Sequence, residues 1–422
     1  MTMAPPVVAP SLVAGGRRRT ILLVALGVLA TFGWAIVVNR LLWRQPLFPY
    51  PLRFEDLREH LGDFHLVVGG TDPYYLRFRF NDTTPPLVAL LYGSLANIHD
   101  TLRAMVFLTL NLACVSIILT AALRAVLRRP AAMLFAISSV VLTPLTVLVL
   151  SQAAYSGLWW GQDQILVMAL IVVDLLVIPP RHRGYLIGLG VGILLAPVFF
   201  GLLLLRPDWR STLRAAAAFL GTALLAAMVN VQASTSYWFH LLPSGEAVRR
   251  VYFTTIARQG NSSLFAFAAR DPFAHHVSAT VLGYVLAAIV AAIGLSAAWW
   301  AQSQRLSVTA VAAVGLTTAT ISPVSWDHHW IWAILLPIVA IELWASHRAV
   351  AVASIVVIPL AYLRAYPATR AIPVTDPAVA NLAWSAPSLV MTVLLAGLCA
   401  SLWRSRTASP TPTEVSVGDG AG

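Results

Sequence analysis

The sequence predicts an all-α polytopic membrane protein. Of its 422 residues 59% are hydrophobic and only 11% charged, and the mean hydropathy is +0.78, outside the range of soluble domains. The apolar residues gather in runs near 21–38, 102–123, 131–150, 162–178, 211–229, 277–300, 306–321, 330–345, 349–363 and 385–403. Each approaches the length of about 20 residues at which a helix crosses a bilayer, so about 10 to 12 transmembrane helices are expected.

Residues 1–20 form a Pro/Ala/Gly-rich tail ending in Arg17, Arg18 and Arg19. The apolar run after it is too long for a signal-peptide core and lacks a cleavage signal, so it reads as an uncleaved first span with a cytoplasmic N-terminus. Residues 21–403 then make a single transmembrane domain, and 404–422 a disordered cytoplasmic tail of low complexity. The segment 184–205, GYLIGLGVGILLAPVFFGLLLL, has arginines on both flanks, four glycines in its first half and Pro197 in mid-run. Such a sequence disfavours one continuous helix, and broken helices occur where they are buried in protein or line a cavity. We therefore expect a re-entrant or broken pair of half-helices here. If 184–205 does not cross, the loops 39–101, 151–161, 230–276 and 322–329 all lie on the extracytoplasmic side of the plasma membrane.

The two cysteines, Cys114 and Cys399, fall inside apolar runs, which excludes a disulfide framework and a cysteine metal site. All the basic residues are arginine and the net charge is +11, without the aromatic-interleaved basic surface of a nucleic-acid binder. Lipid is the expected partner, and no obligate protein partner is implied. Arginines concentrated in outer loops, Arg53 and Arg58 in the first and Arg258 in the third, run against the positive-inside tendency. They point to anion binding, the alternative being a solvated or lipid-headgroup contact.

The first loop carries Asp56 and Asp63, with His60 four residues after Asp56 and so on the same helical face. A carboxylate there has the chemistry to take a proton from a hydroxyl nucleophile; the plainer alternative is a solvated acid. GGTDPY is a turn signal, and TTPPLVALLYG reads as an interfacial helix beginning at Pro85 or Pro86, along the outer leaflet. In GLWWGQDQ, Gln162 is a candidate substrate contact, Asp163 suits the positive end of a helix dipole, and Trp159 and Trp160 suit the membrane interface. Asn261, Ser262 and Ser263 resemble a helix N-cap.

The stretch ISPVSWDHHWIW places Trp326, Asp327, His328 and His329 at a helix start, where free backbone N–H groups attract anions. Imidazole N–H groups can donate to phosphate oxygens. The Asp-His-His order lacks the i, i+4 histidine spacing of a metal-binding helix, so no metal or other cofactor is favoured.

SPVSWDHHW closely resembles the late extracytoplasmic loop of the polyprenol-phosphate-mannose-dependent alpha-1,2-mannosyltransferases of the glycosyltransferase-C superfamily. The order of a first-loop acid, a G-x-D-P-Y turn, a P-P helix start, G-Q, Y-W, N-x-S-L and S-P-x-S-W-x-H-H extends the likeness along most of the chain. The resemblance implies a glycosyltransferase-C-like fold and an inverting transfer from a polyprenyl-phosphate-mannose donor to a mannosylated glycolipid acceptor. It implies Asp56 as general base, with Asp63 as runner-up, because the family's aspartate precedes its D-P-Y turn by a distance that favours Asp56. It implies His328 and His329, helped by Arg53, Arg58 and Arg258, at the donor phosphate, and Gln162, Asn261, Trp326 and Asp327 around substrate. Two positions depart from the pattern: Leu194 stands where the family often has lysine, and Gln164 replaces the asparagine of G-Q-x-N-L. A flippase or transporter of a lipid-linked sugar and a polyprenyl-phosphate-arabinose-dependent enzyme are the alternatives.

Overall fold

The computed structural model describes residues 10–44, 54–75, 84–206, 208–244, 256–258, 260–270, 278–362 and 376–407, and every regular element among them is helical. The elements that matter below are α1 (Pro10–Arg44), α2 (Glu55–Val68), α3 (Pro86–Gly93), α4 (Asp100–Leu127), α5 (Ala131–Ile137, prolonged by π-helical turns to Leu150), α6 (Gln152–Trp160) and α7 (Gln164–Leu176). They continue with α8 (Tyr185–Ile193), α9 (Val198–Leu205), α10 (Trp209–Val229), α11 (Val231–Thr235), α12 (Leu264–Arg270), α13 (Ala279–Ser303) and α14 (Ser307–Ile321). A 3₁₀ stretch, Asp327–Leu335, leads into α15 (Leu336–Leu343), and α16 (Arg348–Tyr362) and α17 (Pro377–Thr407) complete the bundle.

Six described helices are long and apolar enough to cross a membrane: Gly16–Arg40, Asp100–Leu127, Ala131–Leu148, Trp209–Val229, Ala279–Ser303 and Pro377–Thr407. Gln164–Leu176, Ser307–Ile321 and Arg348–Ile358 are apolar but shorter, and the run 330–345 folds as the 3₁₀ stretch plus α15. The short helices are central. In α14 every residue from Val308 to Ile321 is buried, so its apolar character serves packing against protein. The long helices instead show wide apolar faces, with Leu22 and Leu29 on α1, Leu224 and Met228 on α10 and Val393 on α17 all exposed, as expected of surfaces bathed in lipid.

Two boundaries differ from the sequence reading. Helix α1 already begins at Pro10 and carries Arg17–Arg19 within it, and α17 continues past residue 403 to Thr407. The helical ladder runs through Gly15 and Gly16 at one flank and through Arg404–Thr407 at the other, so it continues into polar sequence. Residues 408–422 lie outside the described set.

The segment 184–205 is two half-helices. α8 ends as Leu194 turns extended, and α9 begins after Pro197. Along α8, Gly184 lies against Ser211, Gly188 against Ala215 and Gly192 against Thr222 of α10. Residue numbers rise together, so α8 and α10 run parallel, and α9 must return toward the end from which α8 set out. The glycines permit this approach, since a Cβ at Gly188 would strike the Ala215 carbonyl. Asp174, fully buried at the end of α7, fastens the base of the hairpin by accepting from the N–H groups of Gly184 (2.8 Å), Leu186 (2.8 Å) and Ile187 (3.0 Å). Three otherwise unpaired amides at a helix start are thereby satisfied.

α3 begins at Pro86, but it is not an interfacial helix. Pro86, Leu87, Val88, Ala89, Tyr92 and Gly93 are buried, and the helix packs against α2 and α10. Tyr92 stacks on His60 with ring centres 5.2 Å apart. Its short apolar sequence is used to seat α2, not to float on lipid.

Candidate active site

The first turn of α2 is held in an unusual way. Phe54 precedes it with φ 47°, ψ 37°, left-handed backbone that is costly for a bulky residue. Its N–H donates to the Trp159 carbonyl (3.2 Å), and its ring meets Phe107 edge-on at 5.8 Å. Underneath lies the turn between α6 and α7, where Gly161 adopts φ +80°. A Cβ at Gly161 would lie 2.9 Å from the Leu57 Cβ and 3.3 Å from the Leu57 nitrogen. Asp56 is therefore pinned between two residues that both touch the Gly161–Gln162–Asp163 turn. Gly161→Ala is expected to destabilise the protein by about 1–3 kcal/mol through backbone strain and to lower activity more than stability, because α2 must move. Thermal unfolding and initial rates on the same preparation check this.

Helix α6 also carries the other half of the site. Gly157 lies 3.8 Å in Cβ terms from the His328 Cβ, and Gln152 Nε2 donates to Asp327 Oδ2 at 3.4 Å. The first, second and fourth polar stretches thus meet at one end of the bundle. The third joins through a clamp. Asn261 Nδ2 donates to the carbonyls of Ile256 (3.2 Å) and Pro323 (3.1 Å), while its Oδ1 accepts from Ser263 N (3.1 Å) and Ser325 N (2.9 Å). Ser262 Oγ donates to the Ser325 carbonyl (2.8 Å) and accepts from Trp330 Nε1 (2.9 Å). Ser263 Oγ donates to the Pro323 carbonyl (2.9 Å) and caps α12 by accepting from Ala266 N (3.1 Å). The segment 323–330 has almost no freedom left.

His328 and His329 pack edge to face with centres 4.6 Å apart. His329 Nδ1 lies 3.0 Å from the Val324 carbonyl and 3.3 Å from the Trp326 nitrogen; accepting from the Trp326 N–H puts the proton of the neutral ring on Nε2, while His328 Nδ1 is buried without a partner. Burial pulls the His329 imidazole down to about 4, partly opposed by the Val324 carbonyl. Burial, with His329 beside it, holds His328 well below the usual range. Burial likewise lowers His60 to about 4. All three are neutral at physiological pH, so an anion here meets imidazole N–H donors, not imidazolium charge.

Asp163 behaves oppositely. Burial, then the charge of Asp56, push its carboxyl up to about 8. It does not cap α7, since no N–H bonds to its side chain, and the reading of Asp163 as a helix-dipole partner misses this. On α2, Asp56 is half-buried, His60 and Asp63 are buried, and positions 56, 60 and 63 form one stripe. Asp63 lies about 10 Å further along the helix, and the charge that reaches Asp163 is that of Asp56.

Of the other expected residues, Gln162 is half-buried in the central turn, and Trp326 and Asp327 are half-buried at the start of the 3₁₀ stretch. Arg258 is exposed with its guanidinium 6.0 Å from the Trp326 ring centre. Arg58 is exposed on α2, and Arg53 lies outside the described residues. Asn261, expected at substrate, is fully buried with all four of its amide bonds made to protein. Among the described residues no three His, Cys, Asp or Glu side chains gather as a metal site.

Residues 83–323 match the model of glycosyltransferase family 87. A polyprenol-phosphate-mannose-dependent alpha-(1-2)-phosphatidylinositol mannoside mannosyltransferase of Mycobacterium tuberculosis is 33% identical over 192 residues, 44% of this chain and 42% of the relative. The protein of the same description from Mycolicibacterium smegmatis is 27% identical over 198 residues, 46% and 44% of the two chains. A phosphatidylinositol pentamannoside mannosyltransferase from that organism is 28% identical over 168 residues, 39% and 38%. The matched segments span less than half of each relative, and no solved structure matches. The family match covers more than half of the sequence, from α3 through the clamped S-P segment, and on that ground the chain belongs to glycosyltransferase family 87.

Proposed function

We propose that this protein is an inverting mannosyltransferase of glycosyltransferase-C architecture in the plasma membrane, with its site on the extracytoplasmic side. It takes mannose from polyprenyl-phosphate-mannose and places it on the 2-hydroxyl of a mannose in a phosphatidylinositol mannoside or related lipoglycan. The observation that carries this reading is the convergence of the α2 turn that bears Asp56 and of His328 on the C-terminal half of one short helix, α6, at Trp159 and Gly157. The activities for which the relatives are named support the donor and the acceptor class.

Asp56 accepts the proton of the acceptor hydroxyl as that oxygen attacks the anomeric carbon. The bond from the anomeric carbon to the phosphate oxygen breaks on the opposite face, so a beta-linked donor gives an alpha product, and the polyprenyl phosphate leaves with the electron pair. Imidazole N–H groups, fixed by the clamp on residues 323–325, donate to that phosphate as its charge grows, and loop arginines add positive potential. Donors fixed before the reaction need no reorganisation when charge develops, which is the main source of such stabilisation.

Purified protein in lipid nanodiscs, given radiolabelled polyprenyl-phosphate-mannose and phosphatidylinositol mannosides, is expected to extend the acceptor by mannose removable with an alpha-1,2-mannosidase. Movement of donor across vesicles without a product would replace this reading with a transporter. Preferential use of polyprenyl-phosphate-arabinose would replace the sugar.

A further inference from the structure

Asp163 is the one acid of the central turn to which the proposed reaction gives no task. It is 3% exposed, and its Oδ1 has no hydrogen-bond partner. Helix α7, 13 residues long, offers a positive end, but that does not explain a carboxyl that caps nothing. Packed against its turn is the first turn of α2, with Gly161 touching Leu57 and Phe54 on either side of Asp56. We infer that Asp163 and Asp56 form a carboxyl pair that holds one proton, with Asp163 the protonated member and a positioning residue for the base. This rests on Asp56 being the base.

A neutral carboxyl beside Asp56 does two things. Its O–H donates to the Asp56 carboxylate, fixing which oxygen faces the acceptor hydroxyl. It also keeps the pair at a single negative charge while an anionic donor is bound, since two like charges in one buried site are mutually unfavourable. The titratable and charged groups on the neighbouring elements are Glu55, Asp56, Arg58, Glu59, His60, Asp63 and His65 on α2, Asp100, Arg103, Cys114 and Arg124 on α4, Tyr155 on α6, and Asp327, His328 and His329 on the 3₁₀ stretch. Of these, Asp56 is the charge that acts on Asp163, whose carboxyl stands at about 8. His60, His328 and His329 titrate well below that value, and a donor phosphodiester does not titrate there at all. Below pH 8 the proton is in place. Above it a second charge appears beside the donor phosphate.

The test is the pH dependence of kcat and of donor KM from pH 6 to 9.5, on full-length protein in nanodiscs. In the wild type, donor KM is expected to rise steeply above about pH 8, approaching tenfold per pH unit as one proton is lost. Asp163→Asn keeps a neutral N–H donor of the same shape but has no proton to lose, so the alkaline rise in donor KM should vanish. Asp163→Ala loses the donor, and kcat at pH 7 should fall by about 100-fold, the effect of a misplaced group, in protein that still unfolds cooperatively. An alkaline rise that survives in Asp163→Asn would overturn the pair, as would wild-type kcat in a folded Asp163→Ala. If Asp163→Ala fails to fold, the profile of Asp163→Asn alone decides. Asp56→Asn, assayed in parallel, separates the two claims: wild-type turnover in that variant removes the base assignment, whatever the Asp163 profiles show.

Discussion

Asp56→Asn is expected to lower kcat by about 10²–10⁴-fold, the contribution of a well-placed general base, with donor KM nearly unchanged. The amide matches the carboxylate in shape but cannot take a proton. The attacking hydroxyl then keeps its proton through the transition state or gives it to solvent, from which the half-buried first turn of α2 is partly shielded. The fold should survive, because the dipole interaction of one first-turn acid is worth about 0.3–1 kcal/mol and Glu55 remains in the same turn. Initial rates with labelled donor, beside thermal unfolding, give the result. Asp63→Asn is the control: two helical turns away, it should retain activity within a few-fold. A dead Asp63→Asn with a live Asp56→Asn would exchange their roles.

The sequence showed where this site would lie because polar residues are rare in a chain only 11% charged, so four polar stretches stood out between apolar runs. Their meeting at one end of the bundle accompanies the broken segment 184–205, whose glycines and Pro197 announced two half-helices. What stayed illegible depended on neighbours. Asp163 looked like any acid at a helix start, and only the packing of Phe54 and Leu57 over Gly161 makes it a partner of Asp56. α3 looked interfacial because eight mostly apolar residues are ambiguous until it is known that α2 and α10 enclose them. The apolar run around α14 looked lipid-facing for the same reason; hydropathy does not distinguish lipid from protein as a neighbour.

Asn261 is where the sequence and the structure give the sharpest opposed expectations. As a substrate contact its loss would weaken acceptor binding and leave the fold alone. As the clamp seen here, Asn261→Ala removes four hydrogen bonds at a fully buried position, stranding the Ser263 and Ser325 N–H groups and taking one bond each from the Ile256 and Pro323 carbonyls. Each buried polar group left unsatisfied costs about 1–3 kcal/mol, so a loss on the order of 3–6 kcal/mol is expected before water enters the space. The damage should not stay local. Arg270 Nη1 donates to the Asn261 carbonyl (2.9 Å) while its Nε reaches Asn381 Oδ1 (2.9 Å) and its Nη2 the Ser385 Oγ (2.7 Å) on α17. The clamp therefore ties the histidine segment to α12 and α17 together. Ser263→Ala, which loses an N-cap and one bond to Pro323, should cost only about 1 kcal/mol. Asn261→Asp keeps both acceptor bonds but loses both donors and buries a charge, so it should be no better than Asn261→Ala. Thermal unfolding of the three variants orders them, and kcat should fall with stability in Asn261→Ala because His328 and His329 lose their support. A variant of wild-type stability whose acceptor KM alone rises would return Asn261 to the substrate.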